Sequence, residues 1–106
     1  HPASADSIPT SAGREDHVSM SMWAALKAWR ALDLATHVIA IELLSACQGL
    51  DLLAPLRSSP RLQNVHQAVR AHVPRLRSDR PPAPDIAAIA QLIESGAIDT
   101  AAGELA

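Results

Sequence analysis

The fold is decided by residues 16–48, which read DHVSMSMWAALKAWRALDLATHVIAIELLSACQ and contain neither proline nor glycine. Apolar or small side chains recur there in alternating steps of three and four residues, the spacing that places them on one face of an α-helix. The pattern predicts a single helix of roughly 33 residues, about 50 Å long at 1.5 Å per residue. The residues at this spacing, called the heptad seam below, are Met22, Ala25, Trp29, Leu32, Thr36, Ile39, Leu43 and Ala46.

This helix is too long and too apolar to be covered by the rest of the chain. A second apolar set (Ala35, Val38, Ile41 and Leu44) widens its apolar surface toward the C-terminal end. A lone domain of this size has a radius of gyration of about 13 Å. We therefore expect the helix to have neighbours from outside the chain, either in an oligomer or in a larger helical bundle. The alternative is a helical hairpin broken near residues 33–36, where no turn-forming residue stands.

The positions of proline and glycine predict where the remaining elements begin and end. Residues 1–13 carry two prolines and Gly13 among small polar residues, which predicts an extended or looped segment. Gly49 is expected to end the long helix. Ser59 and Pro60 predict the start of a second helix that ends before Pro74, because serine caps helices and proline suits their first position. A third helix is predicted from Pro84 to Gly96, after an irregular basic stretch over residues 75–84.

Composition excludes several classes of protein. The chain has 106 residues, 48% of them hydrophobic and 19% charged, and a formal net charge of −2, so we expect one domain that does not bind nucleic acid. Cys47 is the sole cysteine and is expected to be a small buried side chain. The five histidines lack metal-ligand spacing, so no metal site is predicted. Residues 38–46 are interrupted by Glu42 and are too short to cross a membrane.

The densest polar cluster is Arg14, Glu15, Asp16 and His17, at the predicted entry to the long helix. The simplest interpretation is structural, because carboxylates in a first helical turn are stabilised by the helix dipole and its free N–H groups. A functional interpretation competes with it, since the run that follows, residues 18–22, reads Val-Ser-Met-Ser-Met and differs from an ordinary solvated helix face.

Two runs near the start of the chain are distinctive: HPASADSIPTSA at residues 1–12 and EDHVSM at residues 15–20, which includes most of the polar cluster. Further runs are AIELL at residues 40–44 and CQGLDL at residues 47–52. Shorter runs follow at residues 55–56, 58–60, 79–80 and 83–86. In these runs the sequence closely resembles a block in the C-terminal half of bacterial histidine ammonia-lyases, and the resemblance covers nearly the whole chain in one register.

The resemblance implies an enzyme that eliminates ammonia from an aromatic amino acid. Such enzymes are mostly helical, cytoplasmic homotetramers whose long helices form a central bundle and whose active sites draw on more than one subunit. They use an electrophilic methylidene-imidazolone group made from an Ala-Ser-Gly tripeptide. The chain has Ser11-Ala12-Gly13 in the wrong order, so the electrophile is expected upstream, on chain that is absent here. The sequence also lacks an initiator methionine, and we expect it to be a segment of a longer protein.

The resemblance assigns one catalytic residue. The family's active-site glutamate falls on Glu15, which also favours histidine as substrate because phenylalanine and tyrosine relatives usually have glutamine there. The family commonly has Asn-Gln where this chain has Gly13-Arg14, and Arg14 is therefore a candidate substrate-binding residue. The predicted organisation is an active-site loop at residues 1–14, a long bundle helix at 15–48 and C-terminal helices at 59–106.

We thus predict an all-α chain with one long central helix and two shorter C-terminal helices, part of a tetrameric bundle. Its function is that of the C-terminal part of a histidine ammonia-lyase, which acts on L-histidine to give trans-urocanate and needs the rest of its own chain. One alternative is an ammonia-lyase or aminomutase for tyrosine, phenylalanine or another aryl amino acid. An alternative of another class is a helical oligomerisation module without catalytic activity. The isolated chain is predicted to be inactive in each case.

Overall fold

The structure, a computed structural model, describes residues 1–5, 7–15 and 18–103. Throughout these residues the regular elements are helical, without a strand, so the predicted all-α class is confirmed. Two compact units are present, His1–Leu34 and Ala35–Ala106. The four α-helices are α1 (Ser21–Leu52), α2 (Pro60–Arg70), α3 (Ala83–Glu94) and α4 (Ala97–Ala102), preceded by single 3₁₀ turns at Ala3–Ala5 and Ser11–Gly13.

The predicted bounds of the long helix, 15–48, are wrong at both ends. At the start, Ser19 Oγ accepts a hydrogen bond from the backbone N–H of Ser21 (3.4 Å), and the local chain enters the helix only there. At the end, the helix passes through Gly49, whose carbonyl accepts a hydrogen bond from the N–H of Leu53 (3.1 Å). Pro55 explains the later end, because proline lacks an N–H and disfavours helical angles in the residue before it.

Helix α1 is continuous through residues 33–36, so the hairpin alternative is wrong. By length and apolar composition α1 also meets the criteria for a membrane-crossing helix, which core helices of soluble proteins meet as well. Residues 38–46 are only part of this longer apolar helix, so their short length does not exclude a span. The 32 residues of α1 correspond to about 48 Å of helix.

The hydrophobic core of residues 35–103 is built on one stripe of α1. Ala40 and Cys47 are fully buried, and Leu43 and Leu44 pack between them, so the stripe follows the i, i+3, i+4, i+7 spacing of a single helix face. The stripe contacts a buried set from the following elements: Val69 of α2, Val73 after it, and Ile89 and Ala90 of α3. Helix α4 packs against both α2 and α3 and adds Ile98 to the core.

The heptad seam is not the face that the chain itself buries. Met22 is 73% exposed, Trp29 78% and Ile39 47%, whereas Leu43 is the seam member that packs against the core. The reason is that α1 is apolar on several faces, so periodicity alone does not identify the one that α2 and α3 cover. Most of the seam is therefore left uncovered by the described residues of the chain.

The shorter helices begin as predicted, and one helix was missed. Ser59 caps α2 by accepting a hydrogen bond from the N–H of Leu62 (3.4 Å), with proline in the first turn. Helix α2 ends at Arg70, and residues 71–73 continue as turns rather than helix. Gly96, with φ +73°, ends α3 as expected, but its carbonyl also accepts the N–H of Thr100 (3.0 Å) and thereby starts the six-residue α4.

Truncation of a core side chain tests this packing. We expect Ile89→Ala to lower the free energy of unfolding by about 2–5 kcal/mol, because Ile89 is fully buried and its removal leaves a cavity. Urea unfolding followed by helical circular dichroism measures the loss. The control is Leu62→Ala on the exposed face of α2, which is 55% exposed. An equal loss in both variants would contradict the proposed core.

Candidate functional site

Residues 10–15 form a tight left-handed turn ahead of α1. The N–H of Gly13 donates to the carbonyl of Thr10 (2.8 Å), and the N–H of Arg14 donates to the carbonyl of Ser11 (3.2 Å). Three successive residues have positive φ: Ser11 at 47°, Ala12 at 57° and Gly13 at 79°. Residues 11–13 therefore have backbone angles that L-residues rarely adopt, and Arg14 and Glu15 follow directly after them.

The two non-glycine members of this turn are strained. A non-glycine residue in the left-handed region costs of the order of 1–3 kcal/mol, and such residues cluster at functional sites. Gly13 carries the largest of the three φ values without a steric penalty, and a Cβ there would meet no atom within 4 Å. The backbone angle, rather than a shortage of space, is thus what favours glycine at this position.

Arg14 and Glu15 are both exposed, and Glu15 lies in a bend six residues before Ser21. The interpretation of Glu15 as a first-turn carboxylate is wrong, because the first turn of α1 contains no acidic residue. Asp16 and His17, the other members of the polar cluster, lie outside the described residues. Nearby, Thr10 Oγ1 is buried and has no hydrogen-bond partner within the described ranges.

A second polar group joins the end of α1 to α2 and was not predicted from the sequence. The carboxylate of Asp51 contacts two side chains of α2. Its Oδ1 lies 2.9 Å from His66 Nε2, and its Oδ2 accepts a hydrogen bond from Arg70 Nε (2.9 Å). Arg70 Nη1 also donates to the carbonyl of Val73 (3.1 Å). The three side chains, called the Asp51 cluster below, are only 13–24% exposed.

The carboxylate of Asp51 determines which ring nitrogen of a neutral His66 carries the proton. An ionised carboxylate only accepts hydrogen bonds, so the proton of a neutral His66 lies on Nε2, and Nδ1 then carries a lone pair. His66 and Arg70 stand one helical turn apart, which is visible in the sequence. Asp51 lies 15 residues before His66, on another helix, and no sequence spacing connects the two.

Comparison with known proteins identifies the family. The model of the family described as aromatic amino acid lyase matches residues 1–71, two thirds of the chain. The chain belongs to the aromatic amino acid lyase family. The matched range includes Arg14, Glu15 and the Asp51 cluster, and the resemblance on which the sequence analysis relied is confirmed.

The most similar relatives of this lyase-family chain include bacterial histidine ammonia-lyases. The enzyme of Anaeromyxobacter dehalogenans (strain 2CP-C) is 52% identical over 99 residues, which cover 93% of this chain and 20% of that protein. The enzyme of Aromatoleum aromaticum is 54% identical over 97 residues, which cover 92% of this chain and 18% of the relative. The chain thus spans about a fifth of the length of the relatives it matches.

A solved structure matches the lyase-family chain equally well. The crystal structure of histidine ammonia-lyase from Trypanosoma cruzi superposes with a TM-score of 0.88 and is 47% identical in sequence. The match covers 96% of this chain and 20% of that one. The helical arrangement described above is therefore that of an ammonia-lyase segment.

Cys47 lies beside the Asp51 cluster but does not provide a nucleophile. Burial raises the pKa of its thiol, the positive charge of Arg70 opposes the shift, and the negative charge of Asp51 adds to it. A raised pKa keeps the thiol protonated at neutral pH, and only the thiolate is strongly nucleophilic. The sequence prediction of a small buried side chain is confirmed.

Neutralising Asp51 tests how far its cluster holds α1 to α2. We expect Asp51→Asn to lower the free energy of unfolding by about 1–3 kcal/mol, because Arg70 loses its counter-charge and the amide keeps one acceptor oxygen where the carboxylate uses two. Thermal and urea unfolding measure the change. The matched control is Asp79→Asn on the exposed loop, expected to change stability by less than about 0.5 kcal/mol. Equal behaviour of the two variants would mean that the cluster adds no stability.

Proposed function

We propose that this chain is the C-terminal part of a histidine ammonia-lyase, which eliminates ammonia from L-histidine to give trans-urocanate. The observation that carries the proposal is its identity of 52–54% with histidine ammonia-lyases over more than nine tenths of the chain. In that reaction the C–N bond and one C–H bond on the neighbouring carbon break, and a carbon–carbon double bond forms between the two carbons. The enzyme must therefore supply a base and a group that favours departure of the amine.

We assign Glu15 to the base or to the anchor of the substrate ammonium. A carboxylate positioned at a reacting carbon accepts a proton directly, and one beside an ammonium group holds it by charge. Two features of the local structure support the assignment. Glu15 is exposed rather than engaged as a cap of α1, and it follows a turn whose strained angles are typical of functional segments.

We assign Arg14 to the substrate carboxylate. Guanidinium groups bind carboxylates through two parallel N–H···O bonds, and Arg14 adjoins Glu15 on the exposed end of the turn. An arginine and a glutamate side by side match the opposite charges of a zwitterionic amino acid. Gly13 supports the same arrangement because its φ of +79° is available to glycine at no cost.

The electrophilic methylidene-imidazolone group is proposed to come from a part of the protein outside this chain. Its formation requires an Ala-Ser-Gly tripeptide, which the 106 residues lack. When bound, the group supplies the electrophile that turns the amine into a good leaving group. The residues of this chain then bind the substrate and accept the proton.

We further propose that the intact protein is a cytoplasmic homo-oligomer, a tetramer by resemblance to its family, with no membrane or nucleic-acid partner. The exposed apolar side chains of α1, among them Met22 and Trp29, support an assembly that covers them. Contiguous apolar surface of this kind marks protein–protein contacts in soluble proteins.

The isolated chain is expected to have no lyase activity. The reason is that the electrophile and the contributions of other subunits are missing from it. Absorbance of urocanate is monitored after the purified 106-residue chain is mixed with L-histidine, with an intact histidine ammonia-lyase as positive control. A rate above the uncatalysed background would contradict the expectation.

In the intact enzyme, Glu15→Gln preserves the shape of the side chain and removes its charge. We expect turnover to fall by roughly 10²–10⁴-fold, the usual cost of losing a positioned acid–base group. The melting temperature should stay within a few degrees of the parent, because Glu15 lies outside every helix. The control is Glu94→Gln on an exposed position of α3, for which neither turnover nor melting should change. Unchanged turnover in Glu15→Gln would remove the catalytic role.

A further inference from the structure

A cleft of about 280 Å³ opens beside the Asp51 cluster, where the end of α1, the connection to α2 and α2 itself meet. Its polar lining includes Arg57, Arg75, Ser58 and His66, and its apolar wall includes Leu50 and Leu56. Neither Arg14 nor Glu15 lines it. Nothing in the proposed elimination of ammonia uses these residues.

The cleft carries a net positive charge. Asp51 is the carboxylate in its lining, and its charge is balanced by Arg70, 2.8 Å away. Arg57 and Arg75 form no ion pair with any of the described residues. Because Arg70 balances the charge of Asp51, the guanidinium groups of Arg57 and Arg75 leave the cleft with a net positive charge.

We propose that this cleft binds a small dianion of the phosphate class. A guanidinium group presents N–H donors in a planar fork that matches the oxygens of a phosphate, and two such groups match its charge of about −2. Ser58 and Gln67 line the same space and carry neutral donors, whereas Gln63 Nε2 already donates to the carbonyl of Ser58 (2.6 Å). The net charge and the donor types of the lining therefore favour the same class of ligand.

The size of the cleft limits the ligand. Pockets for drug-sized molecules occupy roughly 300–1,000 Å³, and a cleft of about 280 Å³ lies below that range. Inorganic phosphate or a short phosphomonoester is small enough for a cleft of this volume. The apolar wall of Leu50 and Leu56 would contact the carbon body of a monoester and has no partner in free phosphate.

The Asp51 cluster has a defined part in this site. By holding Arg70 and the Nε2–H of His66, Asp51 leaves neither a free carboxylate charge to repel the dianion nor a competing partner for Arg57 and Arg75. His66 Nε2 is engaged with Asp51 Oδ1 at 2.9 Å, so that ring nitrogen is not available to the ligand. The two arginines must then supply the charged contacts.

Calorimetric titration of the intact polypeptide that carries this segment tests the proposal, with inorganic phosphate, glycerol phosphate and succinate as ligands. We expect phosphate to bind and the Arg57→Gln/Arg75→Gln double variant to weaken it at least tenfold. The matched control is Arg61→Gln, an exposed arginine of α2 outside the cleft, for which affinity should not change. Tighter binding of glycerol phosphate than of phosphate would identify a phosphomonoester; equal affinity would identify the free ion.

Three results would overturn the proposal: no binding of phosphate by the parent protein, equal affinity in the double variant and the control, or succinate binding as tightly as phosphate. Melting temperatures verify that each variant is folded, and the single variant Arg75→Gln provides a milder change with the same expected direction. Turnover of L-histidine is measured on the same samples. A parent that binds phosphate but lacks turnover would contradict the proposed function and leave the anion site standing.

Discussion

Burial of a single stripe of α1 is the interaction on which the fold of residues 35–103 depends. Ala40 and Cys47 of α1 form one buried cluster with Val69 and Ile89. Full burial of a valine or isoleucine side chain contributes about 1.5–3 kcal/mol, so these few contacts carry much of the tertiary stability. Helices α2 to α4 are only 6–12 residues long, and isolated helices of that length are marginal in water. They persist because α4 packs on α2 and α3, and residues of α2 and α3 join the buried stripe of α1 in one cluster.

Polar contacts then set the path of the chain around this core. Gln48 pairs with both backbone groups of Leu76, at 3.1 Å each, and so fastens the irregular stretch between α2 and α3 to α1. Arg80 donates to Asp85 through Nε and Nη2, at 3.1 and 2.7 Å, just as α3 begins. Together with the Asp51 cluster, these contacts give an otherwise irregular connection a defined course, which shapes the cleft lined by Arg75.

The N-terminal segment depends on a different constraint. Its left-handed turn is local, held by two backbone hydrogen bonds and favoured by glycine at only one of its three positive φ angles. Beyond the turn, the first half of α1 exposes bulky apolar side chains that residues 1–34 do not cover. A segment with a strained turn and an uncovered apolar helix is typical of one part of a larger assembly. The family assignment agrees with this physical argument.

The sequence by itself determined the helical class, the caps at Ser59 and Gly96, the burial of Cys47 and the family that the chain resembles. These features depend on neighbours in the sequence, where helical period and the chemistry of serine, proline and glycine act directly. Only the tertiary structure decided which face of α1 is buried, because α1 is apolar on more than one face and packing partners select among them. It also decided that α1 begins at Ser21 and passes through Gly49, and that Asp51 meets His66 and Arg70. The contacts of Asp51 join residues 15 and 19 positions apart in the sequence. They form only when α1 and α2 pack together, so no local sequence pattern predicts them.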